Sequence, residues 1–193
     1  FKESNMGEVM RTMTSMADIV YFSARKLSSS RGGGICTDNP EIYRELEALV
    51  PLFEGFLTYG GISVREIEAM AVGLYETLDE TMISQSPSFI AYLVNALDAH
   101  GVPMIKPAGV LGAHVDAMQV CDHIPQKEYP AGALAAALYL ISGIRGMERG
   151  SISNQRDEYG NETYADMELV RLAVPRRVFT LSQIKYVEDR MSW

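Results

Sequence analysis

The segment Ser23-Ala24-Arg25-Lys26 places a hydroxyl, a guanidinium and an amine within four residues, just before a serine run and three glycines. An amine can bond covalently to an aldehyde when partial burial and a neighbouring cation lower its pKa, so Lys26 is a candidate nucleophile. Arg25 stays protonated and supplies that cation, while Ser23 and nearby backbone N–H groups could hold a phosphate. A lysine before serines is also common in solvated loops, and spacing alone favours that plainer interpretation.

Two arginines in the second half of the chain are the next candidates. Arg171 lies between Val170 and Leu172 in an apolar strand-like run, where a guanidinium is costly unless it is paired. It either faces outward into solvent or clamps a substrate carboxylate through two hydrogen bonds, and spacing leaves both open. Arg149 follows Glu148, which favours a local ion pair at a strand end.

The histidines and cysteines carry weaker signals. His114 alternates into a strand, and none of the three histidines pairs with another histidine or a cysteine at metal-ligand spacing, so we predict no metal site. Cys36 and Cys121 are far apart, which argues against a disulfide framework and for a reducing cytoplasm. The three glycines lack the lysine and hydroxyl spacing of a phosphate-binding P-loop.

Composition bounds the class of protein. The 193 residues, 47% of them hydrophobic, can build one domain or one and a half. A net charge of −8 argues against nucleic acid as a partner. The longest apolar run, AGALAAALYLISGI, is too short to span a membrane and predicts a buried helix. The first residues show no signal-peptide pattern, and an opening phenylalanine suggests a fragment or missing residues.

The pattern of the chain predicts an α/β fold with two parts. Residues 1–90 read as the end of one domain with connecting helices, and residues 91–193 as a small α+β domain, with the boundary somewhere in residues 82–100. A hairpin is predicted for the segments ADIVYFSA and GICTD. Further strands are predicted for VPMIK, GAHVDAM, IRGMERGSI and MELVRLAVP, in this order. An alanine-rich helix should separate the second and third of these.

Helix ends are marked by capping residues. Asn39-Pro40 should start one helix, and Ser63 with Glu66 should form a capping box for the next. A further helix over residues 88–100 should end at Gly101, and Thr180 or Ser182 should cap the last one.

Five separated blocks, ADIVYFSARK…RGGGICTDN, EGFLTYGG, EAMAVGLYE, GIRGMERGSIS and VRLAVPRRVFT, occur in the order found in the tryptophanase and tyrosine phenol-lyase family. The chain resembles the second half of these pyridoxal-phosphate-dependent (PLP-dependent) β-eliminating lyases from about Met16 to its end. The resemblance implies the C-terminal part of the PLP-dependent transferase fold of type I, with the end of the large domain followed by a small α+β domain.

The resemblance also implies roles for individual residues. Lys26 matches the lysine that bonds to the cofactor aldehyde, and Ser23 matches the serine that holds the cofactor phosphate. Arg25 replaces the first lysine of the family's lysine pair, which keeps the charge and loses any proton transfer, and Leu27 replaces an acidic residue.

In the second part, Arg171 matches the arginine that grips the substrate α-carboxylate. Arg149 matches an arginine that tyrosine phenol-lyases carry near the phenol oxygen, which favours tyrosine over tryptophan. Leu111 stands where the family has a histidine, and His114 follows three places later.

The expected activity is conversion of tyrosine to phenol, pyruvate and ammonia in the cytoplasm by a PLP enzyme, with a monovalent cation such as potassium held by backbone oxygens. The alternatives are cleavage of tryptophan to indole, another PLP-dependent lyase or aminotransferase reaction, and a non-catalytic fragment or half of a split enzyme. The expected partners are the amino acid substrate and either further copies, as a dimer of dimers, or a complementary N-terminal half.

Overall fold

The computed structural model describes residues 6–26 and 30–193, and Leu27 lies outside them. The chain divides into two compact units, Phe1–Ile83 and Ser84–Trp193, which are called the N-terminal unit and the C-terminal unit. The predicted mixture of helices and strands is confirmed. The boundary predicted at residue 90 falls inside one long helix, α4 (Glu80–Ala99), so the assignment of 1–90 and 91–193 as domains stays a prediction.

The N-terminal unit contains a β-hairpin followed by helices. Helix α1 (Met6–Thr14) precedes strands β1 (Val20–Ser23) and β2 (Gly33–Cys36), which pair antiparallel with Phe22 opposite Gly34 and Ser23 opposite Gly33. Helices α2 (Pro40–Phe53) and α3 (Val64–Glu76) come next. The predicted hairpin is therefore confirmed, and its loop carries the Arg25–Lys26 pair.

Two of the three glycines allow the hairpin to close around Phe22. A Cβ at Gly33 would lie 2.0 Å from the carbonyl oxygen of Phe22, and one at Gly34 would lie 2.7 Å from the Phe22 ring. A side chain at position 33 would collide with backbone, so glycine is required there, whereas at position 34 the Phe22 ring would have to move. Gly33 and Gly34 are the first two residues of the return strand β2, and Gly32 precedes it.

The capping predictions had different outcomes. Asn39 accepts hydrogen bonds from the backbone N–H groups of Glu41 and Ile42, as predicted for an N-cap. The capping box at Ser63 is wrong, because the backbone N–H of Glu66 already bonds the Ser63 carbonyl at 3.0 Å and the Ser63 hydroxyl donates to the Glu66 carboxylate instead. Thr180 does form a capping box, with Gln183.

The C-terminal unit is built on a three-stranded antiparallel sheet. Strands β3 (Gly112–Asp116), β4 (Met147–Arg149) and β5 (Leu169–Ala173) lie in the order β3-β5-β4. Helix α5 (Ala117–Val120) follows β3, α6 (Pro130–Ser142) precedes β4, and α7 (Leu181–Met191) follows β5. The segment VPMIK, residues 102–106, does not form the strand that the sequence predicts. Its pairing with β3 is an isolated bridge between Met104 and Val115.

One face of this sheet packs into an apolar core. Helix α4 contributes four apolar residues spaced three or four positions apart, which lie along one side of the helix: Ile90, Leu93, Val94 and Leu97. They pack with alternate residues of the sheet, Ala113 and Val115 of β3 and Val170 and Leu172 of β5. Because strand side chains alternate, burial of Val170 and Leu172 places Arg171 on the opposite face.

Helix α6 is not the buried helix that its composition predicts. Its fully buried residues are Pro130 and Ala131 at its start, whereas Leu140 is 83% exposed. A helix that is apolar all round does not show which side will be covered. Among the described residues, Leu134, Ala135 and Leu138 pack against the core, whereas Leu140 lies exposed.

Substitution of Leu93 by alanine should lower the free energy of unfolding by about 2–5 kcal/mol, because Leu93 is 1% exposed and a cavity would remain in the core. Leu140→Ala is the matched control on an exposed helix position and should change it by less than about 0.5 kcal/mol. Urea titrations followed by circular dichroism measure both, and equal losses would show that this core is wrongly assigned.

Candidate functional site

The first group of predicted site residues lies on the turn that follows β1. The backbone N–H of Lys26 donates to the carbonyl of Ser23 at 3.1 Å, and the N–H of Ala24 donates to the carbonyl of Gly32 at 3.0 Å. Ala24 is fully buried, whereas Ser23, Arg25 and Lys26 are exposed. The buried alanine anchors the turn, so the hydroxyl, guanidinium and amine all project from one short, hydrogen-bonded piece of backbone.

The second group lies on the outer face of the three-stranded sheet. Arg171 is opposite His114 on one side and Met147 on the other, and Arg149 is opposite Leu169. Directly opposed residues share a face, and so do residues two apart on one strand. Arg149, Arg171 and His114 are therefore neighbours on the face that points away from the core.

Arg171 is held in a defined place on this face. Its side chain is half-buried and runs beside Gly112, where a Cβ would lie 3.3 Å from the Arg171 Cγ and 3.5 Å from its Nε. Its Nε is buried and has no hydrogen-bond partner among the described residues. A buried guanidinium N–H without an acceptor is costly, so this position suits an incoming carboxylate.

The surroundings of His114 on β3 lower the pKa of its imidazole. The pKa of His114 is lowered, first by loss of hydration on burial and then by the positive charges of Arg171 and Arg149. Because the ordinary value is 6.5, His114 is neutral at pH 7. The outer face then presents two fixed positive charges and a neutral imidazole.

Asp116, a carboxylate at a strand position on the same face, is already engaged. Asp116 accepts hydrogen bonds from the N–H groups of Met118 and Gln119, and from the Gln119 side-chain amide at 2.7 Å, as the cap of α5. Glu148, the neighbour expected to pair with Arg149, accepts instead from the N–H of Gly150 and the hydroxyl of Ser153. The local ion pair predicted for Arg149 is thus replaced by a turn-closing bond.

The arginines lie outside two cavities of the C-terminal unit. These cavities measure about 340 and 560 Å³, and neither is lined by Arg149, Arg171 or His114. Within the described ranges no cluster of histidine, cysteine, aspartate and glutamate could hold a metal ion. None of the helices in the described part of the chain is long and apolar enough to cross a bilayer.

Sequence reasoning assigned no site role to two residues here, His114 and Glu168. The signal for His114 is its alternation with the buried residues Ala113 and Val115, which places it on the outer face of the sheet, although the pairing with Arg171 requires the strand register. Glu168 is 0% exposed directly before β5. No sequence pattern distinguishes it from a solvated acid at a strand end.

These features define a mixed α/β protein whose exposed amine and guanidinium groups suit anionic small molecules. A sequence model described as beta-eliminating lyase matches residues 4–190. The chain therefore belongs to the beta-eliminating lyase family. Members of this family depend in general on PLP.

Named relatives agree with this assignment. The chain is 42% identical to a tryptophanase of Salinibacter ruber over 97% of its own length and 40% of the relative's. It is 40% identical to a tyrosine phenol-lyase of Lacrimispora saccharolytica over 98% of its own length and 41% of the relative's. A probable tryptophanase of Aeropyrum pernix is 41% identical over 93% and 39%. The chain thus spans about two fifths of the length of these curated relatives.

The turn after β1 fits the cofactor in the chemistry of its donors. PLP carries an aldehyde and a phosphate, and Lys26 offers an amine for the first while Ser23 and Arg25 offer a hydroxyl and a guanidinium for the second. All three side chains are exposed and project from the same turn. The donor set is therefore compatible with this group.

Replacing Arg171 by glutamine should raise the pKa of His114 because a nearby positive charge is removed, while burial should keep it below its ordinary value. The unfolded chain binds the His114 proton more readily than the folded chain, so the free energy of unfolding decreases as pH falls below about 6.5. The variant should lose part of this pH dependence of stability. Histidine NMR titration measures the pKa. Arg190→Gln, on α7, is the control, and equal shifts would contradict the proximity of Arg171 to His114.

Proposed function

We propose that the protein to which this chain belongs is a PLP-dependent lyase that converts tyrosine and water to phenol, pyruvate and ammonia. The observation that carries the proposal is the placement of Arg171 and Arg149 on one face of the β-sheet, with the Arg171 Nε lacking a partner among the described residues. An aromatic amino acid has a carboxylate at one end and, in tyrosine, an acidic hydroxyl at the other. Both groups are ligands for arginine.

Arg171 is proposed to bind the α-carboxylate. Its guanidinium can donate two parallel hydrogen bonds to the two carboxylate oxygens, which fixes both the position and the rotation of the substrate. The half-buried stem beside Gly112 restricts the side chain before substrate arrives. A fixed carboxylate in turn sets the direction of the Cα–H bond, and such orientation is a large part of catalysis.

Arg149 is proposed to bind the phenol oxygen. The strand residue opposite it, Leu169, is two positions from Arg171 on the same face, and two strand residues span about 6.8 Å. That span is comparable with the length of a tyrosine side chain. A guanidinium at this place stabilises negative charge on the oxygen and has no such role toward an indole ring.

Lys26, Ser23 and Arg25 are proposed to serve the cofactor. When bound, PLP accepts the electron pair released at Cα, which makes the Cα–H bond acidic. The hydroxyl of Ser23 and the guanidinium of Arg25 would hold the phosphate. The Nζ of Lys26 would bond the aldehyde at rest and take the Cα proton during turnover, a role that Arg25 cannot perform at its protonated guanidinium.

Cleavage of tryptophan is the second candidate, because relatives with either name match at nearly the same identity. Arg149 is the residue that favours tyrosine. Another PLP-dependent reaction, including transamination, would use the same lysine and α-carboxylate arginine, and product analysis separates it from β-elimination. A monovalent cation such as potassium and a location in the cytoplasm stay predictions.

We further infer that more polypeptide covers the N-terminal unit, either a complementary N-terminal half or further copies in a dimer of dimers. Among its described residues, Ala24 and Gly73 are the buried ones, and Tyr21, Phe53 and Tyr75 are each more than three-quarters exposed. Helix α2 has an apolar side and no fully buried residue in the described chain. So much exposed apolar surface is typical of an interface.

Incubation with PLP followed by borohydride reduction should attach pyridoxyl phosphate to the Nζ of Lys26. The experiment uses the protein as isolated, with any polypeptide that completes it, and peptide mass spectrometry locates the label. Lys26→Arg keeps the charge but should lose the label and lower kcat by about 10²-fold or more. Arg25→Lys is the matched control and should keep the label on Lys26. A label on another lysine, or none, would contradict this role.

Arg149→Ile should lower kcat/KM for tyrosine by about 10–100-fold, since a hydrogen bond to a charged group contributes about 1.5–3 kcal/mol. The value for tryptophan should change much less. Pyruvate release from each amino acid measures both. Arg145→Ile, an exposed arginine four residues earlier, is the control. Unchanged tyrosine cleavage in Arg149→Ile would remove the reason for preferring tyrosine.

A further inference from the structure

Glu168 is a fully buried acid that the proposed mechanism does not use. It directly precedes β5, and its backbone carbonyl accepts the N–H of Ala117 at 2.8 Å. Its Oε1 accepts the backbone N–H of Ser151 at 2.8 Å and the Ser151 hydroxyl at 2.5 Å, with the Gln126 amide at 3.4 Å. The side chain therefore ties the start of β5 to the residues that follow β4.

The backbone next to Arg149 is packed against this carboxyl group. A Cβ at Gly150 would lie 2.3 Å from the Oε2 of Glu168 and 2.6 Å from its Cδ. Glycine is thus needed at position 150 because there is no space for a side chain; its φ of −145° is extended backbone that other residues adopt. Glu168 and Gly150 together fix the path of the chain immediately after Arg149.

A second acid acts on the same turn from within β4. Glu148 accepts the N–H of Gly150 at 2.5 Å and the Ser153 hydroxyl at 2.6 Å. Successive backbone N–H groups at Gly150 and Ser151 are therefore held by two different carboxyl groups. Arg149 is the last residue of β4, and the two residues after it are held by these bonds. The backbone at Arg149 is therefore restrained relative to β5.

Burial of the Glu168 carboxyl group does not by itself stabilise the fold. A buried carboxyl group loses its hydration, and here the Oε2 has no hydrogen-bond partner among the described residues. An apolar side chain of similar volume would avoid that cost but would leave the buried N–H and hydroxyl of Ser151 without this acceptor. The oxygen that is satisfied, Oε1, receives the N–H of Ser151, two residues after Arg149. The carboxyl group therefore holds the backbone that follows Arg149.

We propose that Glu168 is a positioning residue that sets the direction of the Arg149 guanidinium relative to Arg171 and so determines how well the ring end of the substrate is bound. This inference rests on the function proposed above. Glu168 lies behind the sheet face that holds the arginines and acts through Ser151 and Gly150.

The kinetic test compares two substrates in Glu168→Gln, which preserves shape and one acceptor oxygen. For tyrosine, kcat/KM should fall about tenfold or more, mainly through KM. For β-chloroalanine, which has the same α-carboxylate and no ring, it should stay within about twofold. Glu158→Gln, at an exposed position, should change neither. Equal losses for both substrates would show a merely structural role and overturn the proposal.

A second test does not depend on activity. Arg149 contributes to the lowered pKa of His114, so displacement of Arg149 in Glu168→Gln should raise that pKa in an NMR titration. The causes of the lowered His114 pKa are burial, Arg171 and Arg149, and Glu168 is not among them, so a rise reports movement of Arg149. The rise should vanish when Glu168→Gln is made in an Arg149→Ile background. A rise that persists there, or an unchanged or lowered pKa in the single variant, would overturn the proposal.

The two tests also separate this inference from the proposed function. If the unsubstituted protein releases pyruvate from neither substrate, the lyase proposal fails, and the His114 titration still decides whether Glu168 positions Arg149. If pyruvate is released and the titration shows no coupling, the lyase proposal stands and the positioning role is rejected.

Discussion

The alternation of β5 is the constraint on which the candidate substrate site depends. Val170 and Leu172 are buried in the core beneath the sheet, and a strand cannot turn one residue over without turning them all. Arg171 must therefore lie on the outer face, and pairing with β3 and β4 places His114 and Arg149 beside it. The apolar core thus determines where the charged groups meet.

The concentration of positive charge on that face has consequences for chemistry. Burial first, and then the positive charges of Arg171 and Arg149, lower the pKa of His114. The buried Nε of Arg171 has no partner among the described residues. The acids that could neutralise them, Asp116 and Glu148, cap a helix and close a turn. An anion supplied from outside would satisfy groups that the described chain does not, which supports the proposal that this face binds an amino acid carboxylate.

In the N-terminal unit, the hairpin is closely packed whereas the helices leave apolar side chains exposed. Its hairpin is well determined, because Gly33 and Gly34 admit the Phe22 carbonyl and ring, and the buried Ala24 anchors the turn that carries Lys26. Its helices, in contrast, have apolar sides that the described chain leaves exposed. This exposed apolar surface is the basis of the proposal that further polypeptide covers the unit.

The sequence by itself indicated most helices and strands, the hairpin, the cap at Asn39, and Thr180 or Ser182 as the cap of the last helix. Through ordered blocks around Lys26 and Arg171 it also indicated the family. These follow from local backbone preferences and from spacing along the chain. Only the tertiary structure decided that His114 faces Arg171, that Glu148 closes a turn instead of pairing with Arg149, and that Glu168 is buried. Strand register and burial depend on contacts between residues distant in the chain, and no local pattern encodes which partners those will be.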